Sequence, residues 1–269
     1  MESIYEMSGE NNVQTIDRAF DILNLLKENE KGMGVSDIAK RLDLSAPTTH
    51  RILQSLVFHK YVKQNSDNKH YELGVSCLEL GRSFLDKLNL REVAGSILKK
   101  LRDDCRESVS LGIIDGTEVV FIDKFDALMD IAFVGSVVGS RSPAYCTAVG
   151  KVLLAYHDGD YVRKLFNNIE MKKIAANTIT NINNLLVELD IVRLQGYAIS
   201  SEEIEDDLKC IAAPIWQSGD FPISALGVGG PINRIDQGIN ENNLIEKLVE
   251  AGREISYYLN ISNQLYQDD

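Results

Sequence analysis

The chain has 269 residues, 44% of them hydrophobic and 25% charged, with a formal net charge of -12 at pH 7. These are the proportions of a soluble globular protein with room for two domains. No run of 18 apolar residues occurs and the opening "MESIYEMSGENN" is polar and acidic, which argues against a membrane span, a membrane partner or a secretory leader.

Residues 14–29, "QTIDRAFDILNLLKEN", place Ile16, Ala19, Phe20, Leu23 and Leu26 at helical spacing, with Thr15 available as a cap. "KGMG" breaks this helix. The next, "VSDIAKRLDL", has Ser36 as its N-cap and Ile38, Ala39 and Leu42 on one face. After a short turn, "LSAPTTHRILQSLVFHKYV" supplies a third helix. Ser45 caps it, Ala46 and Pro47 occupy its first turn, where proline is tolerated, and Ile52, Leu53, Leu56 and Val57 form the buried stripe. Two short strands, Tyr61–Gln64 and His70–Leu73, are joined by the polar turn "NSDN".

Three short helices followed by a hairpin make a winged helix-turn-helix, whose second helix of the pair enters the DNA major groove. The acidic total argues against a nucleic-acid partner only until the charge is located. Residues 1–80 hold 9 Lys/Arg against 12 Asp/Glu and residues 81–269 hold 19 against 28, yet Leu44 to Ser66 holds three Lys/Arg, two histidines and no acid. A carboxylate there would face phosphates. The residues expected to meet DNA are Ser45, Thr48, Thr49, His50, Arg51 and Ser55 on the third helix, with Ser36 and Lys69 flanking them. Hydroxyls and helix N-terminal amides suit phosphate oxygens, and arginine pairs bidentately with guanine.

From Gly74 to Leu101 the pattern is helical almost throughout, with Leu78, Gly81, Phe84, Leu85 and Leu88 on one apolar side. It reads either as a linker that pairs with its copy in a dimer or as an ordinary core helix. "SVSLGIIDGTEVVFIDKF" then gives two strands joined at Asp115–Gly116, and "DIAFVGSVVGSRSPAY" a further strand region. Helices follow in "TAVGKVLLAYH", "DYVRKLFNNI" and "NINNLLVELDIVRLQG", then strands in "YAISSEE" and "CIAAPIWQSGDFPISALGVGGP", and a last helix in "INENNLIEKLVEAGREISYYLN". Strands at both ends with helices between them indicate an α+β domain built on an antiparallel sheet. The organisation expected is a DNA-binding domain at 12–74, a linker at 75–91 and a second domain at 92–269.

Cys77, Cys105, Cys146 and Cys210 are far apart, with no CxxC pair and no histidine cluster. That leaves no basis for a disulfide scaffold, a metal site or a cofactor, and suggests reduced thiols in the cytoplasm. Thr147 to Gly150 lie at a helix start, where free amides favour an anion. Cys210, flanked by apolar residues, reads as a structural cysteine. The acidic run Glu202 to Asp207 reads as a solvated loop or as a rim that excludes dianions or orders on a ligand.

Taken in order, "IDRAFDILNLL", "VSDIAKRLDLSAPTTHRILQSL", "YELGVSCLELG", "SPAYCTAVGKVLLAY", "GYAISSEE", "CIAAPIW" and "GGPINRI" resemble the IclR family of bacterial transcriptional regulators, from about Thr15 to Asn260. "RSPAYCTAVGKVLLAYHD" with "ANTIT" looks most like the sub-branch of the ketodeoxygluconate regulator. The resemblance implies a winged helix-turn-helix, a dimerising linker helix and a GAF-like domain that binds a small organic acid. Carried over onto this chain, the effector pocket it implies contains Thr147, Ala148, Val149 and Gly150, then Ser200, Leu208, Cys210, Gly227 and Gly229, with Ile131 and Ser142 contributing. Gly227 and Gly229 stand where the family often has serines, and Ser200 where an acid is frequent. The function expected is operator binding on double-stranded DNA by a homodimer or dimer of dimers, modulated by a small organic acid and of the repressor type. The rival is an enzyme using the second domain as a catalytic pocket, which would need a nucleophile with a base, paired carboxylates or a metal cluster.

Overall fold

The computed structural model describes residues 13–86, 89–128, 137–217 and 219–265. The chain divides into two compact units, Met1–Lys87 and Leu88–Asp269. No helix of the described residues is long and apolar enough to cross a membrane.

The first unit runs α1 (Gln14–Lys27), α2 (Val35–Arg41), α3 (Ala46–Phe58), β1 (Val62–Gln64), β2 (Tyr71–Leu73) and α4 (Val75–Asp86). Its core joins Ile22, Leu25 and Leu26 of α1 to Ile38, Ile52, Leu53, Val62 and Tyr71. The expected hairpin forms, with Val62 opposite Leu73 and Gln64 opposite Tyr71. Its turn is organised by Asn65, whose Oδ1 accepts from the amides of Asp67 and Asn68. Two helix starts differ from expectation. α1 begins behind Val13 without a side-chain cap, so Thr15 lies inside the helix, and α2 begins behind Gly34, so Ser36 is in its first turn.

The apolar stripe of α1 also differs. Ile22, Leu25 and Leu26 go into the core, while Ile16 and Phe20 stay exposed. They line a groove of ≈ 530 Å³ together with Ala19, Leu23, Leu56 and Leu80. α4 buries nothing among its described residues, and Val75, Leu78, Leu80 and Phe84 are all exposed. Of the long helical stretch the described residues form α4 and α5 (Asn89–Cys105), with residues 87 and 88 lying outside the described residues.

The second unit continues with β3 (Ser108–Asp115), β4 (Glu118–Phe125), β5 (Arg141–Pro143), a short 3-10 turn at Ala144–Cys146, α6 (Ala148–Ala155), α7 (Gly159–Leu165), α8 (Ile182–Gln195), β6 (Ala198–Ser201), β7 (Leu208–Trp216), β8 (Pro222–Pro231), α9 (Ile232–Asn242) and α10 (Leu244–Leu265). Among the described residues six antiparallel strands lie in the order β5-β4-β3-β8-β7-β6. The central pair, β3 with β8, joins the start of the unit to its end, and α6 to α8 are inserted between β5 and β6. The β3–β4 turn is the expected one, with Gly116 at positive φ and Asp115 paired with Glu118.

Alternate side chains of the strands face opposite layers. On one face α6 presses so closely that a Cβ on Gly227 would stand 2.9 Å from Val149. On the other, Gly252 of α10 approaches Leu226 and Ala213. α6 is apolar on every side but one and its residues are all buried, as a helix between a sheet and α8 must be.

The final helix was expected from Ile239, but it begins at Leu244 after a break at Asn243, which takes a left-handed φ of 53. The preceding stretch forms the separate helix α9, anchored by the buried Ile235. Residues 129–136, which contain Ile131, lie outside the described residues.

Candidate functional site: an outward helix face and a cavity at a helix start

Ser45 caps α3 as expected, its Oγ accepting from the Thr48 amide at 3.4 Å and donating to Thr48 Oγ1 at 2.8 Å. The cap and Pro47 fix where the helix starts, and Ile52 and Leu53 fix which side goes in. His50, Arg51, Gln54, Ser55 and Phe58 are exposed, and Thr48 is half-buried. Thr49 is a correction. It is fully buried, and its hydroxyl donates to the Ser45 carbonyl at 3.1 Å, so it belongs to the core side and is closed to DNA. Its position three and four residues before Ile52 and Leu53 carried that signal.

Ser55 is exposed but lies on the flank of α3 that borders the α1 groove. Ser36 is exposed at the start of α2, and Lys69 is exposed in the hairpin turn with a positive φ of 60. In that hairpin Lys63 is paired with Glu72 at 3.0 Å. That hydrogen bond holds the Glu72 carboxyl below its ordinary range. Lys69 has no ion-pair partner among the described residues. The free positive charge of the wing is therefore at its tip.

In the second unit a cavity of ≈ 60 Å³ lies between the sheet and the start of α6. It exists because two rows of the sheet are paved with small residues. Ser108, Gly229, Cys210 and Ser200 face one another across β3, β8, β7 and β6, and Ser110 and Gly227 stand in the next row. Thr147, Ala148 and Val149 close it from the helix side, Ile204 from the loop, Leu208 from the start of β7, and Phe121 and Ser142 from β4 and β5.

Of the expected pocket residues, Ser142, Thr147, Ala148, Val149, Ser200, Leu208, Cys210, Gly227 and Gly229 are brought together here. Gly150 is not among them. It faces the 3-10 turn, where a Cβ would fall 2.3 Å from the Ala144 carbonyl oxygen, so its role is to let that turn pack. Ile131 lies outside the described residues. Ser108, Ser110, Phe121, Ile211 and Val228, placed by strand register, and Ile204, from the loop before β7, complete the wall and were not foreseen, because no local motif marks them.

The glycines have a defined effect. A Cβ on Gly229 would sit 2.8 Å from Cys210 Sγ, and one on Gly227 would meet Val149. Where serines would project hydroxyls, this chain gives the space to a thiol and a valine, making that part of the wall less polar.

Thr147 Oγ1 accepts from the Gly150 amide at 3.0 Å, capping α6, and the Lys151 amide reaches the Thr147 carbonyl at 2.9 Å. The amides of Ala148 and Val149 take no acceptor among the described residues. Two N–H groups at the positive end of a helix thus stand beside the cavity wall. Ser200 Oγ donates to the Cys146 carbonyl at 2.9 Å, and Ser108 Oγ accepts from the Ala127 amide at 3.1 Å. The hydroxyls of Ser110 and Ser142 have no hydrogen-bond partner among the described residues, so they are open to a ligand.

Behind the wall, Lys151 is 1% exposed and pairs with Glu203 at 2.7 Å and with Glu188 of α8 at 2.9 Å. Burial pushes the Glu203 carboxyl above its ordinary range against the pull of Lys151, and its Oε2 has no partner among the described residues. Within the acidic run, then, Glu203 is buried instead of solvated and Ile204 joins the cavity wall. Burial, with Glu203 nearby, pushes the thiols of Cys146 and Cys210 up to about 12. Among the described residues no group of His, Cys, Asp and Glu is placed to hold a metal ion.

Comparison with known proteins adds the following. The family described as "IclR helix-turn-helix domain" matches residues 15–66, and that described as "Bacterial transcriptional regulator IclR C-terminal" matches residues 82–257. The chain is 33% identical over 244 residues to the HTH-type transcriptional regulator KdgR of Dickeya chrysanthemi, covering 91% of this chain and 79% of that one. It is 33% identical over 245 residues to the HTH-type transcriptional regulator XynR of Escherichia coli (strain K12), covering 91% and 96%. Its fold matches the crystal structure of an IclR homologue complexed with 4-hydroxybenzoate from Microbacterium hydrocarbonoxydans, with a TM-score of 0.80 at 23% identity over 91% of this chain and 98% of that one.

Proposed function

Because the chain belongs to the IclR family of bacterial transcriptional regulators, we propose that it binds an operator through α3 and is regulated by a small organic acid held at the start of α6. The observation that carries this reading is the cavity itself, with two unpartnered amides of α6 at its wall and two free serine hydroxyls across from them. Amides at a helix start bind a carboxylate through hydrogen bonds and the helix dipole. Ser110 and Ser142 would then take hydroxyl or oxo groups of the same ligand, with Phe121, Val149 and Ile204 around its carbon skeleton.

On the DNA side, Arg51 reads a base edge, and Ser36, Ser45, Thr48, His50 and Lys69 contact phosphates. The DNA-binding domain spans 12–74, the linker 75–91 and the effector domain 92–269. A homodimer, alone or paired into a dimer of dimers, covers the exposed apolar faces of α1 and α4. It sets two copies of α3 in successive major grooves, about 34 Å apart. Effector and operator binding are coupled through differential affinity for two arrangements of the dimer. The protein acts in the cytoplasm.

A catalytic reading finds less support. The thiol in the cavity wall is held protonated, and no histidine lines the cavity.

A thermal-shift screen of the full chain against sugar acids, keto acids and aromatic acids tests the effector half of this reading. An acid at 100 times its dissociation constant should stabilise the chain by about 2.7 kcal/mol. A chain stabilised by none of the three classes would speak against an effector pocket for organic acids.

A further inference from the structure

The outward side of α3 is narrower than its list of polar residues suggests. With about 100° per residue, and with Thr49, Ile52 and Leu53 buried, the row diametrically outward is Pro47, Arg51, Gln54 and Phe58. His50 lies on one flank, and Thr48 and Ser55 on the other. In a helix laid into a major groove the flanks meet the phosphate walls, and the outward row meets the base edges.

Within that row Pro47 and Phe58 have no hydrogen-bonding head. Arg51 and Gln54 do, and neither makes a hydrogen bond or ion pair among the described residues. Gln54 is therefore free to reach out, and Arg51, which also borders the α1 groove, has no polar contact to break. The two are three residues apart, a rise of about 4.5 Å along the helix, against about 3.4 Å between base pairs, so they address adjacent or next-adjacent pairs.

We propose that Gln54 is the second base-reading residue of this protein and selects adenine within two base pairs of the guanine read by Arg51. A glutamine side chain offers one acceptor and one donor, matching the N6 donor and N7 acceptor of adenine in the major groove. Its position beside Arg51, with no acid on the helix, lets both heads enter one groove. The proposal rests on the reading that α3 binds DNA, and it adds the residue and the base that reading leaves unassigned.

The test is selection from a pool of random double-stranded DNA with the full chain, its Gln54→Ala variant and its Gln54→Glu variant. Wild type should enrich a half-site with a G and an A no more than two positions apart. Gln54→Ala should lose a preference of roughly 5- to 150-fold at the A position only, keeping the G and the affinity for unselected DNA. Gln54→Glu should shift that position towards C, whose N4 amine donates to a carboxylate. A wild-type motif left unchanged by both variants overturns the proposal and leaves the DNA-binding reading standing. Loss of all DNA binding in Gln54→Ala also overturns it, because a base reader leaves the phosphate contacts in place. No motif from wild type overturns the reading beneath it and the proposal together.

Discussion

Helices α3 and α6 begin alike and end in opposite surroundings. Each opens with a hydroxyl cap, Ser45 or Thr147, that accepts from the amide three residues on. From there the sequences part. "APTTHRILQSLVF" alternates polar and apolar residues at helical period, so one side is buried and the other faces out with Arg51 and Gln54 free. "AVGKVLLA" is apolar apart from Lys151 and is buried on all sides, so its open amides turn to an internal cavity. The same backbone feature thus serves a polymer outside in one unit and a small molecule inside in the other. The difference lies in the one charged residue of each helix: Arg51 of α3 is left exposed, and Lys151 of α6 is paired behind the wall.

Removing that neutralisation should break the contrast most severely. Lys151→Ala strands the buried Glu203 carboxylate, and breaking a buried pair in this way costs about 3–5 kcal/mol. Denaturant unfolding would read the loss, and the double variant Lys151→Met with Glu203→Gln should recover much of it. The close approach of α6 to the sheet comes next. Gly227→Ala sets a Cβ against Val149 and should cost about 1–3 kcal/mol by overpacking. Adding Val149→Ala should relieve part of that, so the two changes should be non-additive in unfolding measurements.

Outside, Arg51→Ala should leave the melting temperature unchanged while removing about 1–3 kcal/mol of discrimination for its base, read by competition between operator variants. The two caps give the most balanced comparison. Ser45→Ala and Thr147→Ala should each cost about 1 kcal/mol, with Thr147→Ala the more costly because the Gly150 amide it caps is buried.

The smallest effect is in pH. Burial raises the Glu203 carboxyl above its unfolded value of 4.5, so the folded chain holds that proton more tightly than the unfolded chain does. Its contribution to stability is then present below about pH 4.5 and is lost as pH rises through the raised folded value. Relative to wild type, Glu203→Gln should therefore gain stability between pH 4 and neutrality in parallel unfolding curves. A gap that stays constant across this range would mean that Glu203 titrates normally.

Much of this was legible in the sequence, for identifiable reasons. Ser45, Pro47, Ile52 and Leu53 announce α3 through local rules of capping and period. The hairpin strands, the α+β class and the order of the elements follow from similar patterns. Nine cavity residues came through resemblance to a family, since nothing local to Ser200 or Gly229 says that they meet across the sheet. Ser108 and Ser110 went unseen because only the pairing of β3 with β8 brings them to the cavity. α9 went unseen because "INRIDQGINEN" has weak helix propensity. It is held by Ile235 in the core and by Gly238 closing on Leu244, where a Cβ would stand 2.8 Å away. The exposed side of α4 shows the converse: an apolar pattern reports burial without saying by what.

The central claim, that a small acid is held by the opening amides of α6, is tested most directly at Ala148. Proline is tolerated in the first turn of a helix, and Thr147 before it is already extended, so Ala148→Pro deletes one amide donor while keeping the helix. Calorimetric titration of wild-type and Ala148→Pro chains with the acid that most raises the wild-type melting temperature is the measurement to make. With circular dichroism unchanged, the expected result is binding weakened about tenfold or more, the loss of one hydrogen bond to a charged group. Equal affinity in the two chains would contradict the account, because the acid would then be held somewhere other than the start of α6.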